Sequence, residues 1–242
     1  MIKSVKSPVS PTKSDLQMWL KDYLDNNAGQ ICPVVDFDPG DRLLPLDFTG
    51  AAAGPDAATV ADPPVFAAWI EDKLAETGCR YGIGGYAENR TLYQSKALFG
   101  NGGEPRSLHL GTDIWGPAGT PIYCPMDATV HSFANNDNFG DYGGTVILQH
   151  HTGDRLFYTL YGHLSVSSLT GLSEGMLIRS GTPFATLGAI NENGHWPPHL
   201  HFQLMLDMQG RKGDYPGVCR MSEQDLWLKN CKDPGWVLRY TF

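Results

Sequence analysis

The 242-residue chain has no stretch approaching the ~20 consecutive apolar residues that a membrane span needs. It has no run of basic residues, and its net charge of −8 is spread without a cationic patch. An electrostatic footprint for neutralising phosphates is therefore missing, and nucleic acid is not expected as a partner. The five cysteines, Cys32, Cys79, Cys124, Cys219 and Cys231, form no C-x-x-C pair and leave one over from any pairing. That suits thiols in a reducing compartment. The opening "MIKSVKSPVSPTKSD" has two lysines with no apolar stretch behind them, so no export signal is seen. The expected location is cytoplasmic, or extracytoplasmic if the sequence is a mature form. Helical crossovers between strand-like runs are also missing, which argues against βαβ units.

Glycine (28) and proline (17) are plentiful, and they favour short strands joined by turns. Two helices are expected ahead of the strands. One begins at Ser14, with Gln17 at the capping-box position and Leu16, Trp19, Leu20, Tyr23 and Leu24 at helical spacing. The other has Asp62 as N-cap, Pro63 in the first turn, Phe66, Ile70 and Leu74 on one face, and Gly78 as its stop. The intervening "PLDFTGAAAGPDAATVADPP" reads as a loop.

After Gly78 come "TPIYCPM", "ATVHSF", "GTVILQHH", "RLFYTLYGHL", "TPFATLG" and "HLHFQLML", each bounded by turn residues. They predict a mainly β protein with a few helices and an antiparallel sandwich or barrel-like core over about residues 106–207. Residues 1–100 are expected as a helical and loop region packing on the core, 101–210 as the β domain, and 211–242 as a carboxy-terminal extension. That extension is expected to hold a short helix near residues 222–230, and "WVLRYTF" is expected to pair with or cover the sheet edge.

Three of the eight histidines fall within the seven residues from His195 to His201. On a strand His199 and His201 share a face, roughly 6.6 Å apart, with Leu200 opposed. Both can ligate one metal, or one can ligate while the other contacts the water that the metal holds. In "HLGTD", extended chain would separate His109 from Asp113 by about 13 Å, too far for bonds near ~2 Å, so the segment must bend for both to bind one ion. Gly111 between them permits unusual backbone angles. His163 ends "RLFYTLYGH", where Phe157, Thr159, Tyr161 and His163 share parity. His131, His150, His151 and His195 are expected in surface or packing roles.

Taken in order, "HLGTDIWGPAGTPIYCPMDATV", "YGHLS", "GTPFATLG" and "HLHFQ" resemble the lysostaphin and LytM type of zinc metallopeptidases, over roughly residues 106–206. The resemblance implies a fold of the duplicated hybrid motif class and a zinc ion held by His109, Asp113 and His201. His163 and His199 then line the catalytic side, one as proton acceptor and the other steadying the oxyanion, with the two roles not divided between them. Two imidazoles and one carboxylate leave a fourth position for water, as in catalytic zinc sites. The function implied is metalloendopeptidase-like cleavage of a peptide or amide bond in a peptide or peptidoglycan-like substrate. Oligomeric state is left open.

The chain departs from this pattern in two places. Trp196, Pro197 and Pro198 stand where cell-wall-cutting members have small and hydroxyl residues followed by glycine, and Gln203 stands where a glutamate is usual. "GGYAENRTLYQSKALFGNGGEPRSLHLGTDIW" and "NGHWPPHLHFQ" are similar to a peptidase-like segment of large cytosolic proteins that join a phosphotransferase-like domain to an aminotransferase. The competing expectation is a noncatalytic scaffold or regulatory module that keeps the metal site. A cupin-like barrel also uses an HxH, but its sites add a later histidine, and none follows His201.

Overall fold

The computed structural model describes residues 13–38, 40–50, 54–90 and 103–240, with the side chains of 13–17 excluded. The capping pair Ser14 and Gln17, the side chain of Leu16, and the boundary expected at residue 100 lie outside the described residues.

In chain order the elements are α1 (Lys13–Asn26), β1 (Leu43–Leu46), α2 (Ala57–Ala61), α3 (Pro63–Thr77), β2 (Tyr81–Gly84), β3 (Arg106–His109) and β4 (Thr112–Trp115). There follow β5 (Pro121–Tyr123), β6 (Ala128–Asn136), β7 (Gly143–Thr152), β8 (Arg155–Leu164), β9 (Leu177–Ile178), β10 (Pro183–Thr186) and β11 (His199–Met205). The chain closes with β12 (Val218–Arg220), α4 (Gln224–Trp227), β13 (Cys231–Lys232) and α5 (Gly235–Leu238).

The protein is mainly β, built on one large mixed sheet in the order β1-β2-β4-β11-β8-β7-β6-β9, with β13 added beside β11. Among the described residues the only parallel pair in that sheet is β1 with β2. Ladders β5/β10 and β3/β12 stand apart from it. Among the described residues the sheet does not close into a barrel, and no helix is long and apolar enough to cross a membrane.

Strand β11 lies near the middle and is buried along its whole length. Its alternation sorts the interior. Leu200, Phe202 and Leu204 join the larger apolar core with Phe157, Tyr161, Val146 and Leu148, while Met205 joins Leu160 and Ile147 in a second cluster on the other face. Residues two apart share a face, so His199, His201 and Gln203 stand on the side of Met205.

Helix α3 starts and stops where the sequence places it. Asp62 accepts from the Val65 N–H at 3.3 Å, and Gly78 ends it in the left-handed region at φ 63°. Phe66 and Ile70 are buried, packing with Phe48 against Trp115.

Two expectations are corrected. The stretch read as a loop holds the end of β1 and the short helix α2, whose N-cap Asp56 accepts from Thr59 N–H. In the tail, the alternative that "WVLRYTF" pairs with the sheet edge is set aside for its described residues, which include helix α5; Val237 and Leu238 bury in the large core, and Arg239 donates to the Leu24 carbonyl of α1 at 2.6 Å. Contact with the rest of the fold decides both, because segments this short carry too little periodicity to declare themselves.

Candidate metal centre

Five side chains expected at the site meet at one end of the sheet. His109 ends β3, Asp113 is second in β4, and His199 and His201 lie on β11, which pairs with β4 so that His201 stands opposite Asp113. Leu110 and Gly111 make the bend between β3 and β4. The glycine is needed for space and not for torsion: a Cβ there would lie 2.7 Å from the His201 ring and 2.8 Å from the Phe202 carbonyl, with no positive φ involved.

His163 arrives differently from its expected parity. Tyr161 points into the large core, so strict alternation would send His163 to that side as well. A bulge between β7 and β8 intervenes, with Tyr161 opposite Val146 but Leu164 opposite Gly144. His163 adopts φ 61°, rare for a residue with a side chain, and is held there by its N–H to the Tyr142 carbonyl at 2.7 Å and by Gly188 N–H to its own carbonyl at 2.9 Å. The bulge turns the imidazole toward His199, with ring centroids 4.1 Å apart.

The donor atoms define the centre. His109 Nε2 lies 2.9 Å from His201 Nδ1, His201 Nδ1 lies 3.1 Å from Asp113 Oδ1, and His109 Nε2 lies 3.3 Å from the same oxygen. Ligands of a tetrahedral ion at bonds of ~2.0–2.1 Å stand roughly 3.3 Å from one another, so this triangle fits a small divalent ion with little movement. Among the described residues no other group of three or more His, Cys, Asp or Glu residues meets a metal-site spacing.

Every imidazole is oriented from behind. His109 Nδ1–H donates to the Gly85 carbonyl at 2.9 Å, His163 Nδ1–H to the Asn193 carbonyl at 2.8 Å, and His199 Nδ1–H to the Pro197 carbonyl at 2.7 Å. A carbonyl oxygen only accepts, so these nitrogens carry the protons and leave Nε2 with its lone pair. His201 is turned round: Nε2–H donates to Gln203 Oε1 at 3.0 Å, which frees Nδ1. Gln203 is held in turn by the Pro216 carbonyl and Cys231 Sγ, each 3.2 Å from its Nε2.

Burial, above all, lowers the pKa of His109 and of His199 to about 4 and takes His163 well below its ordinary value. All three are neutral at pH 7. Burial alone would raise the Asp113 carboxyl, but His109 and Arg90 more than offset it and hold the carboxyl well below the usual carboxylate range.

The cleft over these residues has a volume of ≈ 390 Å³. Trp196 forms one wall, edge-on to His163 and His199 at 6.2 Å each. Trp115 stacks on His199 at 4.0 Å and 18°. Tyr142, Arg106, Arg211 and Asp214 also line the cleft, giving it charges of both signs. Of the other histidines, His150 is buried elsewhere against Phe157, His131 packs on Tyr158, His151 bonds Gln149, and His195 stacks on Phe139. All five cysteines are unbonded thiols.

Arg90, Gly85, Tyr142 and Asn193 did not stand out in the sequence. Their roles run through backbone carbonyls or long-range contacts, which carry no local spacing. Gln203 stood out only as a departure from a pattern.

A β-rich domain here gathers two histidines and an aspartate at metal-site spacing in a cleft, with two further imidazoles beside them. Residues 107–214 match the model of Peptidase family M23. A curated relative, DD-carboxypeptidase/endopeptidase Mpg of Neisseria meningitidis serogroup B, is 32% identical over 102 residues, which is 42% of this chain and 21% of the relative. The chain thus spans about a fifth of that protein's length. Similar solved structures include a zinc containing peptidase from Vibrio cholerae (28% identity, TM-score 0.33, 40% of this chain and 27% of that one). The catalytic domain of lysostaphin from Staphylococcus simulans is another (19% identity, TM-score 0.38, 66% and 96%).

Proposed function

We propose that this protein is a zinc-dependent hydrolase that cleaves a peptide or amide bond. The observation that carries the reading is the convergence of three unprotonated donors, His109 Nε2, His201 Nδ1 and Asp113 Oδ1, beside two imidazoles whose Nε2 lone pairs are also free. These three residues would hold the zinc. When bound, the ion supplies Lewis-acid polarisation of the scissile carbonyl and acidifies a water in the cleft.

The chain's own residues supply the rest. His163 and His199 are locked with Nδ1–H outward, so each offers Nε2 as proton acceptor and, once charged, as donor. One takes the proton of the attacking water and returns it to the leaving amine; the other can steady the negative oxygen only once its own Nε2 has been protonated. Their depressed pKa values make both neutral acceptors at pH 7. Stacking on Trp115 and the edge of Trp196 hold His199 in place and exclude bulk water from its face.

The substrate class is a peptide, with peptidoglycan stem or cross-bridge peptides included because the curated relative is named a DD-carboxypeptidase/endopeptidase. The wall made by Trp196 narrows the choice to substrates that tolerate a bulky rim.

Incubating zinc-loaded protein with glycine-rich peptides, peptidoglycan fragments and a cytosolic peptide pool, with and without chelator, tests the reading. Chelator-sensitive cleavage of one class is the expected result. Stoichiometric zinc with no cleavage of any of them would mean an idle site and refute the hydrolase.

A further inference from the structure

The matched domain begins at residue 107, yet two of the three ligand candidates are oriented by a segment that precedes it, residues 84–90. Gly85 supplies the carbonyl that fixes His109. Arg90 supplies a guanidinium that reaches Asp113: Nη1 donates to Oδ2 at 2.5 Å, and Nε donates to Glu88 Oε2 at 2.7 Å. Arg90 and Asp113 side chains are 1% and 2% exposed. Charges taken out of water this completely are unfavourable unless paired, so each needs its partner.

Three features hold Arg90 in register with the site. Ala87 N–H donates to the His109 carbonyl at 2.9 Å, His109 N–H to the Glu88 carbonyl at 2.9 Å, and Arg90 N–H to the Ser107 carbonyl at 2.8 Å, so the segment runs bonded along β3. Gly84, which pairs with Asp113 in the sheet, has no side chain where a Cβ would lie 2.7 Å from Arg90 Nη2. The guanidinium carbon lies 5.3 Å from the centre of the Phe48 ring. Glu88 in turn accepts from Phe48 N–H at 3.3 Å through its other oxygen.

The consequence falls on the two oxygens of Asp113. Oδ2 is taken by the guanidinium, and Oδ1 alone faces His109 and His201. We propose that Arg90 is a positioning residue of the metal site, holding Asp113 as a one-oxygen ligand, so that residues 84–90 are part of the centre although they lie outside the matched domain. The inference rests on the metal-site reading above. A rigid two-pronged cation is required for the task, since the guanidinium fork spans Glu88 and Asp113 together, whereas a lysine is a single flexible point charge. A carboxylate shared with a cation also donates less charge to a bound metal, leaving the ion more electrophilic.

Cobalt(II) is the probe, because its visible d–d absorption is stronger in four-coordinate than in five-coordinate sites. The full chain is compared as wild type, as Arg90→Met with Glu88→Gln, which preserves the net charge of the trio, and as Arg90→Lys. Metal affinity is read by competition with a chromophoric chelator, and the metal-free melting temperature is followed in parallel. Wild type is expected to bind one cobalt with strong visible bands. The double variant is expected to bind it about 10–100-fold more weakly, with weakened bands as Asp113 swings to two-oxygen ligation. Arg90→Lys is expected to recover melting temperature but not the bands.

A wild-type spectrum and affinity within about two-fold in either folded variant would overturn the proposal and leave the hydrolase reading standing. Should the double variant not fold, Arg90→Lys decides alone. Wild type that binds no cobalt would bring down both.

Discussion

Buried imidazoles occupy both faces of the large sheet, and they are treated differently. His150 lies on the side of Leu148 and Phe157, stacked on the Phe157 ring at 4.6 Å, with Nε2 bonded to Thr159 Oγ1 at 2.8 Å and Nδ1 facing the Asp127 carbonyl at 3.3 Å. Both of its nitrogens are used up by the protein. On the opposite face His109, His163, His199 and His201 each spend one nitrogen on a structural oxygen and turn the other to a common space. Burial is therefore no guide to function here. What separates the four cleft imidazoles from His150 is the nitrogen each leaves directed at a shared space.

Five substitutions sharpen that contrast, in descending order of effect on the metal and on turnover. Asp113→Ala removes the oxygen that both proposed ligand imidazoles, His109 and His201, face, and the purified protein is expected to contain no stoichiometric zinc and show no hydrolysis; zinc content by atomic absorption checks this. His163→Ala and His199→Ala are expected to keep zinc and lose about 10²-fold or more in kcat, read against a peptide substrate at saturating concentration. Loss of metal from His199→Ala would move that residue from proton transfer to ligation.

Gln203→Leu leaves His201 Nε2 without its acceptor, and zinc affinity is expected to fall by about 10–100-fold with the fold intact, measured by chelator competition. His150→Leu is expected to leave kcat unchanged, because neither of its nitrogens faces the cleft. Its effect belongs to acid stability. Burial, chiefly, lowers the His150 pKa to about 4, against an unfolded value of 6.5. The unfolded chain therefore binds the proton first, and the stability His150 provides is complete above pH 6.5 and drains away as pH falls toward 4. Melting of metal-free wild type should drop across that window, and His150→Leu should drop less steeply. An equal slope in the two proteins would show that the site imidazoles alone carry the acid sensitivity.

Much of the β layer could be read from the chain. Runs such as "GTVILQHH" and "HLHFQLML" are buried at nearly every position because each strand has a face in each core, and their turn residues bracket them closely. Helix α3 declared both of its ends because Asp62 and Gly78 act locally. Strand β1 and helix α5 did not declare themselves: four residues each, they are held in place by β2 and α1, not by any pattern of their own. At the centre, the same-face relation of His199 and His201 follows from strand geometry alone. The face taken by His163 does not, since one extra residue at a bulge reverses it.

The residue types at the centre, their order along the chain and the two-residue spacing of the paired histidines are properties of the sequence itself, because a strand's alternation is set by covalent geometry. Which nitrogen of each ring faces inward, and which oxygen of Asp113, was decided only by the folded chain. Those choices belong to the carbonyls of Gly85, Asn193 and Pro197 and to the side chains of Gln203 and Arg90. Hydrogen bonds reach about 3 Å whatever the separation in sequence, and only packing brings such partners within that range.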